Sequence, residues 1–287
     1  MPNIKLLQPG SLDEAVTLLA AQSEDIKVIS GGTALVIMLK NRLIAPAALL
    51  SLGGLSELRN IRHEPGIGLR IGALVSIRDA ELSPLIRDKQ PTLAETFAKV
   101  GNVRVRHAAT VGGNLSEADY ASDPPCVLVA LRARVKARSA KGEREIPLVK
   151  LFTGFYETAL APDEILTEVI VPDPEPGTRS TYLKYVSRSS EDRPCAGMAA
   201  VLETGTDGAC KNLRLVAGAV AEIPQEITAP EEQARGSRLS GRLIDDIAQA
   251  YADAIEPLSD LRGSAWYRKQ IIRVLVRRAI EQVSAAN

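Results

Sequence analysis

Ile26-Lys27-Val28-Ile29-Ser30-Gly31-Gly32-Thr33 decides the fold class. A short β-branched run ends at a glycine pair, and the stretch Ala34–Arg42 behind it places Leu35, Met38 and Leu39 on one side of a helix. Upstream, Ser11-Leu12-Asp13-Glu14 has capping-box spacing, and Leu12, Ala15, Val16 and Leu19 fall on one helical face. Downstream, Leu49–Leu52 reads as another apolar strand. Helix and strand in alternation predict a βαβ-like unit at this end of the chain.

Further along, Ile61–His63 and Leu69–Leu74 flank Glu64-Pro65-Gly66 and predict a hairpin. Ser76-Ile77-Arg78-Asp79 opens a helix, and Leu93–Val100 continues helically to a stop at Gly101. Arg104–Val111 is expected to be extended and to end in Gly112-Gly113-Asn114. Arg134–Ser139 and Arg144–Val149 around Lys141-Gly142 give a second hairpin, and Glu164–Val171 a further strand. Pro172-Asp173-Pro174-Glu175-Pro176-Gly177 can continue neither a helix nor a central strand and marks the clearest boundary. Beyond it, strands at Tyr182–Ser187, Met198–Glu203 and Leu213–Ala219 precede helices at Leu243–Ile255 and Ala265–Val283, a separate α+β arrangement. The expected organisation is a domain over 1–176, divided near residue 55, and a second domain over 177–287.

Composition narrows the function classes. With 35 Lys+Arg against 35 Asp+Glu in 287 residues, the chain lacks the basic excess of a dedicated nucleic-acid binder. No apolar run approaches the roughly 18 residues of a membrane helix, and Met1-Pro2-Asn3-Ile4-Lys5 opens no signal peptide. Cys126, Cys195 and Cys210 form no CxxC pair, which fits a cytoplasmic chain. An all-cysteine iron–sulfur cluster takes four thiolates, and only His63 and His107 are available besides, so no metal site is expected on this chain.

Two glycine pairs carry the candidate chemistry: Ser30-Gly31-Gly32-Thr33 and Thr110-Val111-Gly112-Gly113-Asn114. Glycine in such turns lets backbone N–H groups approach an anion, phosphate above all. Taken singly, each is more often a tight turn, and neither fits GxGxxG or GxxxxGK[ST]. Asp123-Pro124-Pro125 is either a helix cap or a carboxylate able to accept hydrogen bonds from sugar-like hydroxyls.

As an ordered set, Ile29–Thr33, Val105–Leu115, Asp123-Pro124-Pro125, Asp163-Glu164-Ile165-Leu166, Tyr182-Leu183-Lys184 with Arg188 and Asp192, and Arg262–Arg268 resemble the FAD-binding medium subunit of molybdenum hydroxylases. This is the carbon monoxide dehydrogenase and xanthine dehydrogenase family, and the resemblance covers essentially the whole chain. It implies an α+β fold of the vanillyl-alcohol oxidase (PCMH) type, with two N-terminal α/β subdomains and a C-terminal α+β domain built on a three-stranded sheet. It implies FAD on this chain, with Val28, Ile29, Ser30, Gly31, Gly32, Thr33, Ala34 and Leu35 along the pyrophosphate. Ala109, Thr110, Gly112, Gly113 and Asn114 would form a second wall, with Val100 and Gly101 nearby. Asp123 would hold ribityl or ribose hydroxyls, Ile165 and Leu166 would pack on the adenine side, and Lys184 would approach the flavin ring. Arg188 and Asp192 are expected to form a local ion pair, and His107 to face solvent or serve structure. Ala34 departs from the polar residue many relatives carry there, and Tyr120 stands where relatives usually have proline.

The resemblance further implies electron transfer without a catalytic acid or base of its own. Electrons would arrive from two [2Fe–2S] clusters on a small partner chain, fed by a large molybdopterin-bearing chain, in a dimer of heterotrimers, and leave to an external acceptor. The alternatives are a self-contained flavin oxidoreductase on the same fold and a flavin-free interaction module.

Overall fold

The computed structural model describes residues 4–21 and 25–285. Strand β1 (Lys5–Leu7), helix α1 (Leu12–Ala21), β2 (Ile26–Ile29), α2 (Leu35–Lys40) and β3 (Ala48–Ser51) form the first unit, a parallel sheet in the order β1-β3-β2. Ser11 caps α1 through the Glu14 amide, while the Glu14 carboxylate reaches back to the Gly10 N–H at 2.7 Å, one residue further than a simple box. Ala15, Val16 and Leu19 then bury against Leu50 and Leu55 in a small core of their own.

The second unit begins with β4 (Ile61–Glu64) and β5 (Gly68–Gly72), the expected hairpin. Helices follow: α3 (Ile77–Leu82), α4 (Pro84–Lys89), α5 (Pro91–Ala98), α6 (Val103–Ala108), α7 (Val111–Glu117) and α8 (Asp123–Ala130). Then come β6 (Arg134–Ser139), β7 (Gly142–Pro147), the short pair β8 (Phe152–Gly154) and β9 (Glu157–Thr158), and β10 (Ile165–Val171). The sheet is antiparallel in the order β4-β5-β10-β6-β7, so the last strand of the unit lies at its centre. Every residue of β10 is buried, as a strand covered on both faces must be.

The extended reading of Arg104–Val111 is corrected here. Asn102 accepts the amides of Arg104 and Val105 and starts α6, which turns the segment before the second glycine loop into a one-and-a-half-turn helix. Val-Arg-Val-Arg alternates like a strand, and the cap overrides that pattern.

The third unit packs β11 (Thr178–Tyr185), β12 (Ala196–Thr204), β13 (Cys210–Gly218) and the two-residue β14 (Gln225–Glu226) into an antiparallel sheet. Its three long strands are those expected, and β14 adds a short edge. Helices α9 (Thr228–Glu232), α10 (Gly241–Ala254) and α11 (Ala265–Ala285) follow. The apolar faces of α10 and α11 cover one side of this sheet through Ile244, Ile247, Ile272 and Val276. The other side, through Tyr182, Ala199, Val201 and Val216, joins the core of the second unit around Phe97 and Cys126. Among the described residues no helix is long and apolar enough to cross a membrane.

Glu231 of α9 is buried, and one carboxylate oxygen accepts the Leu215 N–H of β13 at 2.6 Å. Burial pushes its carboxyl up to about 7 from an ordinary 4.5. The folded chain therefore holds a proton that the unfolded chain has released, and this contribution to stability is lost as pH rises through about 7. Glu231→Gln keeps the acceptor without the charge. It is expected to flatten the fall of Tm between about pH 5 and about pH 8, read by calorimetry; an unchanged slope would refute this.

Candidate functional site

The two glycine loops, far apart in sequence, touch. After β5 the chain runs through Ala73–Ser76 and lays itself along the second loop: Ile77 N–H donates to Ala109 O, Val111 N–H to Val75 O and Gly112 N–H to Ala73 O, each at 2.9 Å. Thr110 caps α7 by accepting the Gly113 amide at 3.1 Å. The same hydroxyl lies 2.9 Å from the hydroxyl of Ser30, eighty residues earlier, so the pair fixes the turn that leaves β2 onto the turn that enters α7.

Glycine is required at this meeting. A Cβ on Gly31 would lie 2.0 Å from Ala108 O, and one on Gly113 would lie 2.7 Å from the Ser30 hydroxyl. Gly112 sits against Ala73, where a Cβ would come within 2.5 Å of the alanine methyl. These are backbone and buried contacts that cannot swing away.

Donors are divided unequally between the loops. The amides of Gly31, Gly32, Thr33 and Ala34 find no acceptor among the described hydrogen bonds, and all four residues are half-buried. Gly32 has φ +69°, which aims its peptide N–H differently from those of its neighbours. In the second loop the amides of Gly112, Gly113 and Asn114 are all spent, on Ala73 O, Thr110 Oγ1 and Thr110 O. A ligand held here would take its backbone hydrogen bonds from the first loop and meet the second mainly as surface. Ala34 starts α2 with no side-chain cap.

The remaining expected residues are dispersed around this contact. Val28, Ile29 and Leu35 are half-buried beside the first loop. Ala109 is buried beneath α6. The carbonyls of Val100 and Gly101 both accept from Arg106, whose guanidinium also pairs with Glu81. Ile165 and Leu166 turn their side chains into the protein's own cores, one in the first unit and one in the second. His107 is exposed.

Asp123 and Lys184 meet each other. Asp123 is the first residue of α8, joined to the second loop through the Asn114–Ser122 side-chain hydrogen bond at 2.8 Å. One carboxylate oxygen accepts the Tyr182 hydroxyl at 2.7 Å and the other the Lys184 ammonium at 2.9 Å. Their side chains are only 5% and 7% exposed, so this is a buried ion pair. Burial pushes the Asp123 carboxyl above its usual range even with the ammonium beside it. Lys184 also donates to Lys99 O, and Lys99 donates to Tyr182 O, closing a cross-unit ring of charge-assisted bonds.

Lys99 and Asp260 were not singled out by sequence reasoning, and Tyr182, Tyr120 and Arg262 were singled out there without these partners. Lys99 and Tyr182 hold the ring just described; the β-alternation of Tyr182 and Lys184 was the available signal for the tyrosine. Tyr120 donates to Asp260 and accepts from Arg262, at 2.7 and 3.0 Å, tying the loop before α8 to the loop before α11. Burial would raise the Asp260 carboxyl, but bonds from Tyr120, Arg268 and the Arg262 amide outweigh it and hold it well below the usual range. The expected Arg188–Asp192 ion pair does not form. Asp192 accepts the Ser189 amide, and it is Arg193 that reaches a carboxylate, Asp119, at 2.9 Å.

Comparison with known proteins adds the following. The family described as "FAD binding domain in molybdopterin dehydrogenase" matches residues 2–174, and "CO dehydrogenase flavoprotein C-terminal domain" matches residues 181–283. The glyceraldehyde dehydrogenase medium chain of Sulfolobus acidocaldarius is 31% identical over 283 residues, 99% of each chain. The nicotine 6-hydroxylase medium subunit of Paenarthrobacter nicotinovorans is 34% identical over 286 residues, again 99% of each. Among solved structures, carbon monoxide dehydrogenase from Hydrogenophaga pseudoflava superposes with a TM-score of 0.94 at 31% identity, covering 99% of this chain and 98% of that one.

The buried pair has a measurable consequence. Asp123→Ala strands the Lys184 ammonium where water barely reaches, and is expected to cost about 3–5 kcal/mol in denaturant unfolding. The double variant Asp123→Ala/Lys184→Met should recover part of that loss; a single variant as stable as the parent would contradict the pairing.

Proposed function

The chain belongs to the FAD-binding medium subunits of molybdenum hydroxylases, and from that premise we propose that it passes electrons from iron–sulfur clusters on a partner chain to an external acceptor. The observation that carries this reading is the join at Ser30 and Thr110. It closes two glycine turns on one another and leaves four consecutive amides without partners among the described residues.

The residues present fit FAD. The N–H groups of Gly31, Gly32, Thr33 and Ala34, without acceptors among the described residues, are four consecutive donors suited to a diphosphate. The missing Cβ atoms of Gly31 and Gly113 keep the opposing loop at contact distance. Lys184 has three donors and commits two of them, to Asp123 and Lys99 O, which leaves one for an acceptor atom of the bound ring. FAD when bound supplies a ring that collects two electrons and yields them to an acceptor.

The chain's own part is to hold and orient. The first loop binds the diphosphate and the second loop sets the spacing. Asp123 holds Lys184 in place and offers its remaining lone pairs to a hydroxyl. Lys184 places positive charge where a reduced ring would gain negative charge, an electrostatic contribution made without a proton transfer.

Partners follow from the chain's own composition. Three cysteines fall one short of a single four-thiolate cluster, and Cys126, Cys195 and Cys210 are each buried and unpaired. In this reading a small chain brings two [2Fe–2S] clusters and a large chain brings molybdopterin, assembled as a dimer of heterotrimers in the reducing cytoplasm. The relatives named for glyceraldehyde, nicotine and carbon monoxide are 31–34% identical to this chain across nearly its full length. That breadth suits a subunit that does not select the substrate. We place the break between the flavin-binding part and the C-terminal part at the proline-rich stretch 172–177.

The experiment is to purify the chain with its co-expressed partners and count flavin per chain. The iron–sulfur side is then reduced without oxygen. Bleaching of the flavin band is expected to follow, and a preparation without flavin, or a flavin that stays oxidised, would overturn the reading. In the same preparation Gly31→Ala, which forces the loops apart, is expected to lower bound FAD at least tenfold, equivalent to about 1.4 kcal/mol of binding. Full flavin content in that variant would remove the loop contact from the argument.

A further inference from the structure

A cavity of about 450 Å³ lies beside the site, not between the glycine loops. Its volume falls within the roughly 300–1,000 Å³ usual for small-molecule sites. One wall is Tyr120, which sits between the second loop and Asp123. The segment that continues β11 past Lys184, with Arg188, Asp192 and Arg193, and the Asp260–Arg262 loop complete the lining. The cavity is therefore framed by the same two chain segments that carry the Asp123–Lys184 pair.

Its charge is unevenly committed. Asp260 is saturated: it takes the Tyr120 hydroxyl, the Arg268 guanidinium, and both the amide and the guanidinium of Arg262. Asp192 accepts the Ser189 amide. Arg193 spends one edge on Asp119 and Arg262 divides itself between Asp260 and Tyr120. Among the described residues Arg188 finds no hydrogen bond or ion pair, and its guanidinium fork is uncommitted there. The lining therefore holds three guanidiniums against two carboxylates that are already engaged. The Tyr120 ring lines the cavity, with the Arg262 guanidinium over one of its faces 5.9 Å from its centre.

We propose that this cavity docks the external electron acceptor, and that the acceptor is a small planar anion whose negative group is held by Arg188. This rests on the flavin reading above. In the step served by the site, an acceptor of the quinone class gains two electrons and two protons to become the quinol. The bound flavin, reduced beforehand, gives up the same electrons and protons, and no bond to the chain forms. Arg188 carries the anionic group and Tyr120 faces the ring.

The test uses the purified complex, its flavin reduced photochemically without oxygen and then mixed with either of two acceptors of matched ring: 1,4-naphthoquinone-2-sulfonate or neutral 2-methyl-1,4-naphthoquinone. Flavin content is measured first, so that a preparation lacking flavin overturns the parent reading and is recognised as such. With flavin present, the sulfonated quinone is expected to saturate at about tenfold lower concentration than the neutral one, the worth of one charge-assisted hydrogen bond. Arg188→Gln should erase that difference by acting on the sulfonate alone. Arg278→Gln, the same charge change roughly 20 Å along α11 from its start, should not. A second readout needs no turnover: calorimetric binding of redox-inert naphthalene-2-sulfonate, present in the parent and lost in Arg188→Gln. Equal behaviour of the two quinones, an Arg188 effect common to both, or sulfonate binding indifferent to Arg188 would overturn the inference while leaving the flavin reading intact.

Discussion

The contact between Gly31 and the Ala108 carbonyl is the constraint on which the rest of the molecule depends. The first loop can lie this close to the end of α6 only because Gly31 carries no side chain at the point of contact, and the Ser30–Thr110 hydroxyl pair then locks the register. A parallel three-stranded unit and an antiparallel five-stranded unit are joined here, and Leu74 and Ile165 of the second also enter the core of the first. The join brings Ser30 and Gly31 against Ala108–Thr110, while Ile165 and Leu166 stay in the cores of the two units.

The C-terminal unit is attached by polar chemistry as well as by apolar burial. Its sheet shares a core with the second unit through Tyr182, Ala199 and Val216. Across the same seam run the Asp123–Lys184 pair, the bonds from Lys99 to Tyr182 O on β11 and from Lys184 to Lys99 O at the end of α5, and the Tyr120–Asp260 and Asp119–Arg193 contacts. Buried ion pairs contribute little net stability, because desolvation offsets their attraction. Their geometry, however, is directional where apolar contact is not. Apolar burial at this seam makes the units adhere; the ion pairs set their orientation, with Lys184 beside the start of α8.

How legible this was depends on whether the signal was local. The hairpin at Glu64-Pro65-Gly66, the strand leading into Gly31-Gly32 and the long helices at the end each rest on turn chemistry or periodicity within a few residues, and each formed. Val103–Ala108 failed because alternation suggested a strand while one asparagine side chain satisfied two orphan amides and favoured a helix. The pairings Tyr120–Asp260 and Arg193–Asp119 span 140 and 74 residues, and no local pattern encodes a partner at that distance. Arg188 and Asp192, four residues apart, suggested a pair of their own; Arg193, one position on, had a better carboxylate across the seam.

The division of donors explains why both loops need glycine for different reasons. In the first loop Gly31 packs against the Ala108 carbonyl and Gly32 takes a left-handed φ, while the amides from Gly31 to Ala34 have no acceptor among the described hydrogen bonds. The second loop has already paired its amides with Ala73 O and Thr110, so its glycines serve packing: Gly112 against Ala73, Gly113 beneath the two hydroxyls. A side chain at Gly31 would collide with the Ala108 carbonyl, and one at Gly112 with Ala73. Two similar sequence motifs thus perform unlike tasks, and only their shared neighbour, the Ser30–Thr110 pair, makes them one site.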